Sequence, residues 1–335
     1  MGFAQAIDLA LAQAMAADER VLVFGEDVPL IRRDLLIRFG PRRVRATPIS
    51  EGAFLGAAVG AAMGGLRPVV EIMMVDFIGV ALDALLNQAA KVEAFSGHAW
   101  NAPLVVRAAC GGGYGDGGQH MQSLWGLLAG IPGLAVVVPS TPADAAGLML
   151  AAVEDERPVV YLEHKLLSDW WLDSMGGLHR DAPPRFDVPP AGARGEVQLP
   201  VCALPIGRAA VRRRGSDLVI FSLGVAVHRA LMAADQLARE GIEAEIVDLR
   251  SVSPLDEGQI TDSARRCNQV LVVDEDYLRF GLSGEIAAVL AEAGLPVRFA
   301  RLAPADTLPY SHRRELDVLP SVSSTLKAAR ALLGA

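Results

Sequence analysis

Residues Thr47 to Phe77 read TPISEGAFLGAAVGAAMGGLRPVVEIMMVDF. From Glu51 onward nearly every position is Gly, Ala or another apolar residue, and no charge returns until Arg67, as expected of a helix packed closely against neighbours. The run PVVEIMMV at 68–75 is then apolar at odd and even positions alike, the pattern of a strand covered on both faces. A helix leading into a doubly buried strand is the unit from which α/β domains are built.

Similar runs lie on either side: VLVFG at 21–25, PLVVRAA at 103–109, LAVVVP at 134–139 and PVVYLE at 158–163, with helical stretches between them. From Asp173 to Pro205 the chain turns rich in Pro and Gly and loses any sustained period, which marks a linker. Beyond it a second alternation begins, with strand patterns at 217–224, 243–249, 269–275 and 297–302 and helical patterns near 225–240, 256–266 and 282–293. The fold class is therefore α/β with two doubly wound domains: a first domain over 1–172, a linker over 173–204 and a second domain over 205–335.

With 335 residues, 52% of them hydrophobic and 21% charged, the chain has the composition of a globular protein with well-buried cores. A formal net charge of -8 lacks the electrostatic footprint of a nucleic-acid binder, and Arg42-Arg43 and Arg212 to Arg214 read as solvated surface. Cys110, Cys202 and Cys267 have neither metal-ligand spacing nor an even count for a disulfide framework, which points to a reducing compartment. The opening MGFAQAIDLALAQAMAADER reads as an amphipathic helix, and the longest uncharged apolar segment, 52–66, falls short of the roughly 20 residues that span a bilayer. The expectation is a cytoplasmic protein without membrane or nucleic-acid partners.

Glu51, alone at the head of an apolar helix, is either a helix-start device or a chemical group. As a first-turn acid it gains about 0.3–1 kcal/mol from the helix dipole. Burial beside Ile49 and the Gly/Ala face would instead favour its neutral form, by a several-fold larger effect. Gly52, Gly56, Gly60 and Gly64 fall on one helix face and leave a groove for another backbone, in this chain or in a second subunit.

The second informative stretch, AACGGGYGDGGQHMQSLWGLLAGIPGL at 108–134, contains G-x-G-x-x-G from Gly113 to Gly118. The dinucleotide-binding version of that pattern follows a first strand and has an acid about 20 residues on. Here it follows a third strand, with Val137-Val138-Pro139 in the acid's place, so hydride chemistry is set aside. What remains is a flexible loop presenting His120. The other histidines have no metal-ligand spacing, and no nucleophile elbow or phosphate-binding loop is present.

GEDV at 25–28, TPISEGAFLGAAVGAAMGGLRPVVEIM at 47–73, GGQHMQSL at 117–124, the segment 131–167, VDLRSVSPLD at 247–256 and DTLPYS at 306–311 together resemble one family. It is the beta subunit of the thiamine-diphosphate-dependent decarboxylating component of 2-oxo acid dehydrogenase complexes. The resemblance implies a transketolase pyrimidine-binding-type domain followed by a transketolase C-terminal-type domain. It also implies an alpha2beta2 heterotetramer with an alpha subunit, a lipoyl acyltransferase core as further partner, and a 2-oxo acid as substrate.

By the same resemblance thiamine diphosphate lies at the subunit interface, with its diphosphate and Mg2+ held by the alpha subunit, so no metal ligand is expected in this chain. Gly115-Asp116-Gly117 lacks the Asn that completes the family's diphosphate motif and is a coincidence within the His120 loop. Glu51 matches the glutamate that hydrogen-bonds a ring nitrogen of the aminopyrimidine, Phe77 an aromatic packed on that ring, and Met73, Ile49 and Ser50 its surroundings. Glu26 matches another cofactor-side acid, and His120 a histidine facing the substrate.

The chain departs from the family pattern in several places. The segment 27–46 is shorter than usual and the 173–204 linker longer. Met121 follows the loop histidine in place of Ser, Gly130 precedes IPG in place of a polar residue, and Arg157 and Val105 replace an Asn and a Thr common at a potassium site. Two alternatives stay open: an acetoin-cleaving or transketolase-like enzyme using the same cofactor, and a non-catalytic partner subunit.

Overall fold

The computed structural model describes residues 1–113, 115–175 and 192–334. Twelve strands are present among them: β1 (Val21–Gly25), β2 (Val44–Ala46), β3 (Arg67–Met74), β4 (Val105–Cys110), β5 (Ala135–Val137), β6 (Val159–His164), β7 (Ala210–Arg213), β8 (Leu218–Ser222), β9 (Ala244–Asp248), β10 (Ser251–Ser253), β11 (Gln269–Val273) and β12 (Arg298–Leu302). They form a seven-stranded sheet in the order β10-β5-β6-β4-β3-β1-β2 and a five-stranded sheet in the order β12-β11-β8-β9-β7. Pairing is parallel throughout except for β10 on β5 and β7 on β9.

The two apolar faces of the central strands account for this layering. Val70, Ile72, Val106, Ala108, Val160 and Leu162 pack with Phe54, Leu55, Ala58 and Val59 of the helix Glu51–Met63. Their alternate neighbours Val69, Val105, Val159 and Tyr161 pack with the helices Phe3–Ala17 and Pro142–Glu154. The latter helix starts at Thr141, whose hydroxyl accepts from the Asp144 N–H, with proline at the first helical position. Val219, Phe221, Val247, Val270 and Ile286 of the second sheet and its helices belong to the same apolar cluster as Val70 and Val106, so the core is continuous across the chain.

Two boundaries differ from the expectation. Ser251–Ser253, which the sequence assigns to the second domain, completes the edge of the first sheet, where the Val138 N–H also donates to the Arg250 carbonyl at 2.8 Å. The helix Asp169–Met175 runs into the stretch expected to be linker, because Trp171 and Leu172 supply it with a buried face. Of the rest of that linker, 176–191 lies outside the described residues. The chain re-enters beside the place it left, the Ala193 N–H donating to Leu167 O at 2.8 Å.

At the C-terminal end of Pro142–Glu154 the Arg67 guanidinium donates to the carbonyls of Val153 (3.0 Å) and Asp155 (3.1 Å) and pairs with Glu156. A cation there satisfies acceptors that the helix leaves open. Arg157 turns away to Asp155 at 2.8 Å, and Val105 is buried in β4.

Candidate active site

Parallel α/β sheets place ligands beyond the carboxyl ends of their strands, and the residues singled out in the sequence gather there. Glu26 follows β1. Met73 is the penultimate residue of β3, and the 3-10 turn Val75–Ala81 that follows carries Phe77. The loop leaving β4 reaches the short 3-10 turn Gly118–His120. Glu51 opens its helix with no side-chain cap from Ser50.

Phe77 and His120 meet edge to face, ring centroids 5.4 Å apart and planes at 86°. The His120 Nδ1 is buried and without a hydrogen-bond partner, an uncommon state for a native polar atom and one that awaits a ligand. Behind the loop Lys165, fully buried, donates to the His120 carbonyl and lies 3.0 Å from the Asp116 carboxylate. Gln122 bridges the two halves of the chain, donating to Asp76 at 2.7 Å and accepting from the Tyr277 hydroxyl at 3.0 Å.

The Glu51 carboxylate has no hydrogen-bond or ion-pair partner among the described residues. Burial raises the Glu26 carboxyl above its ordinary range, and the Asp27 and Glu51 carboxylates raise it further, so Glu26 and Glu51 share one electrostatic environment. The deep burial expected of Glu51 is not supplied by the described residues. Glu51 is half-buried, Ile49 is 73% exposed, and Ser50 is exposed. The reason is the uncovered glycine face: an added Cβ at Gly56 or Gly60 would meet nothing within 4 Å, so no helix among the described residues packs into that groove. Met121 does not face the site either. It is fully buried against Leu308 and Leu319. Gly130 ends the helix Trp125–Ala129 and lines a separate groove with Val252 and Phe280.

An ion network beside these residues escapes a reading by apolar periodicity. Glu26 and Met73 line a small cavity of about 20 Å³ together with Arg32, Glu71, Arg107, Glu163, Trp170 and Trp171. Arg32 grips Glu71 through Nε at 2.9 Å and Nη2 at 3.0 Å, Arg107 holds Glu163 at 2.5 Å and Glu71 at 3.4 Å, and Asp8 lies 3.2 Å from Arg32. Burial pushes the Glu71 carboxyl up, but the two guanidinium groups outweigh it and hold it below its usual value; for Asp8 burial wins and the pKa rises. The signal lay in the strands themselves, each apolar run carrying one charge: Glu71 in β3, Arg107 in β4, Glu163 in β6.

Further along the edge His164 lies 2.5 Å from Glu275, which also binds Arg229. Burial raises the Glu275 pKa, but Arg229 and His164 outweigh it and bring it down to about 2. Gly111, at φ +91°, lets the loop cross directly over the His164 ring, where a Cβ would collide. Asp274 accepts from the Trp125 Nε1–H at 3.0 Å and Asp276 from the Gly126 N–H at 2.6 Å, fastening the helix Trp125–Ala129 to β11.

Free carboxylates, an apolar wall of Met73 and Phe77, and an orphaned ring nitrogen fit a flat nitrogen heterocycle. Among the described residues no group of three or more His, Cys, Asp or Glu side chains could hold a metal ion.

The family of the transketolase pyrimidine-binding domain matches residues 1–169, and that of the transketolase C-terminal domain matches 207–324. The 2-oxoisovalerate dehydrogenase subunit beta of Bacillus subtilis (strain 168) is 38% identical over 326 residues, covering 94% of this chain and 93% of that one. This chain belongs to the family of transketolase-like E1 beta subunits. The pyruvate dehydrogenase E1 component subunit beta of Bacillus subtilis (strain 168) is 37% identical to this beta subunit (99% and 98% covered). The acetoin:2,6-dichlorophenolindophenol oxidoreductase subunit beta of the same strain is also 37% identical (100% and 97%). A solved structure described as a split-gene transketolase in an inactive beta4 tetramer shares the fold, with a TM-score of 0.80 at 22% identity over 100% of this chain and 99% of that one.

Proposed function

We propose that this beta subunit acts with an alpha subunit in a cytoplasmic alpha2beta2 assembly. The assembly would carry out thiamine-diphosphate-dependent oxidative decarboxylation of a 2-oxo acid and pass the acyl group to lipoamide on an acyltransferase core. What supports this reading is that the matched residues lie in linked pairs at the carboxyl edge of the first sheet: Glu26 and Met73 line one cavity, the Glu51 carboxylate acts on the Glu26 carboxyl, and Phe77 meets His120 edge to face. Glu51 also heads a helix whose glycine face, at Gly56 and Gly60, meets no other described residue.

Bound thiamine diphosphate supplies a carbon nucleophile and the electron sink that carboxylate loss requires. The protein's part is binding, orientation and proton traffic. Glu51, without a competing partner among the described residues, is assigned to hold a proton at a pyrimidine nitrogen. A second subunit over Ile49 and the glycine face would supply the burial that makes such a proton transferable near neutrality. Met73 and Phe77 pack the ring, with the Ile49-Ser50 backbone beside it, and Glu26 is a second proton holder whose pKa is already raised. His120, braced against Phe77 and anchored by Lys165 through its own carbonyl, presents its ring to the substrate's carboxylate. The diphosphate and its Mg2+ fall to the alpha subunit.

The test is Glu51→Gln in the assembly reconstituted with its alpha partner and assayed against pyruvate, branched-chain 2-oxo acids and acetoin. Turnover should fall by about 10²–10⁴; near-normal turnover would identify a non-catalytic scaffold. Acetoin cleavage is the second reading, favoured by the similarity to the acetoin oxidoreductase beta subunit. It would show as turnover of acetoin in preference to every 2-oxo acid.

A further inference from the structure

The glycines of the His120 loop have no part in the proposed chemistry, yet each costs conformational entropy on folding. Their neighbours account for them. The second domain lays its segment from Leu308 to Leu319 along this loop and approaches it at the glycines. A Cβ on Gly112 would lie 2.7 Å from the Leu319 side chain, one on Gly117 2.7 Å from the Tyr310 ring, and one on Gly118 3.3 Å from the Leu308 carbonyl oxygen. Just past the turn, Met121 is fully buried against Leu308 and Leu319.

Two of these contacts bear on the backbone that places the histidine. Glu315, fully buried on the helix His312–Val318, accepts the Gly113 N–H. A charged acceptor on a backbone N–H makes one of the stronger hydrogen bonds, and burial leaves no water to replace it. Tyr310 covers Gly117, whose carbonyl accepts the His120 N–H at 3.0 Å at the start of the turn Gly118–His120. From the first domain, Lys165 donates to the His120 carbonyl. Both domains therefore hold the histidine, although every residue matched to the cofactor or substrate lies in the first.

We propose that Glu315 and Tyr310 are positioning residues for His120, through which the second domain sets the histidine's turn by way of Gly113 and Gly117. A substrate-facing group displaced by about 1 Å loses on the order of 10²-fold in rate. The inference rests on the proposed duty of His120 toward the substrate.

Glu315→Ala, Tyr310→Ala and His120→Ala chains are each reassembled with the alpha subunit. Measured for each are kcat/KM with pyruvate and branched-chain 2-oxo acids, the affinity for thiamine diphosphate, and deuterium exchange over residues 111–120. Glu315→Ala should lower kcat/KM by about 10²-fold. Tyr310→Ala should lower it about three- to tenfold, the scale of one lost ring contact, and Tyr310→Phe should restore it. Exchange over the loop should quicken in both alanine variants while cofactor affinity holds. Added to His120→Ala, each should cost less than about twofold further, because residues that act through one group are not additive. A merely structural role would add its full cost there. Full additivity, or wild-type kcat/KM in either alanine variant, overturns the inference and leaves the proposed function standing. Tyr310, 76% exposed, carries the test should Glu315→Ala fail to fold. A His120→Ala assembly with wild-type kcat/KM would instead overturn the proposed duty of His120, and the inference with it.

Discussion

Asp274→Asn gives the most quantitative test of the junction that backs the site. Burial, reinforced by the Asp276 carboxylate, raises the Asp274 pKa from 3.8 to about 8. One carboxyl oxygen accepts from Trp125 and from the Asp276 N–H, and the other has no partner. Between these two pKa values the folded chain keeps a proton that the unfolded chain releases. The native state therefore loses stability as pH rises, by about 1.4 kcal/mol per pH unit. Below pH 3.8 both states are protonated and the cost vanishes. By pH 7 it has grown to on the order of 4 kcal/mol, and it levels off above pH 8. Asparagine reproduces the shape of the neutral acid without titrating. Guanidinium unfolding from pH 5 to 8.5, read by tryptophan emission, should show the variant gaining on the wild type by about one proton's slope across this window. Parallel stability curves would refute the assignment of a buried, proton-holding Asp274.

Arg107→Met would strand Glu163 and part of Glu71 in the interior, and should cost about 3–5 kcal/mol in denaturant unfolding. Because the Arg67 guanidinium donates to the carbonyls of Val153 and Asp155, Arg67→Ala should lower stability by about 2–3 kcal/mol, read by denaturant unfolding. Gly56→Leu should leave the lone chain at least as stable, since it relieves a helix-interior glycine worth about 0.5–1 kcal/mol. It should also prevent the subunit contact assigned to that face, seen as loss of the assembly by light scattering.

What the sequence made legible follows the physics of each signal. Doubly covered strands announce themselves: VLVFG at 21–25 is β1 to the residue, and the longer runs fall within a residue or two of β3, β4 and β6. The three-residue edge strands β2 and β10, and β7 with four, carry too little pattern to be read. Glu51 and His120 stood out because a single polar group interrupts a glycine-rich background. The Phe77–His120 contact came only with the folded chain, as did the exposure of Ile49, because none of the described residues supplies the cover expected over Glu51. The ion network around Arg107 was hidden for a different reason. One charge per strand looks incidental until parallel pairing sets Glu71 opposite Arg107 and brings Glu163 within reach.

The strand β10 has a consequence for synthesis. It joins the first sheet from a position over a hundred residues downstream of β5. On a ribosome elongating at about 5–20 residues per second, the emerging β5 edge stays bare for on the order of ten seconds. A naked parallel edge recruits other strands during such a delay. Nascent chains of this protein should thus depend on chaperone shielding until residue 253 clears the exit tunnel, and fragments ending at the linker should aggregate where the full chain does not.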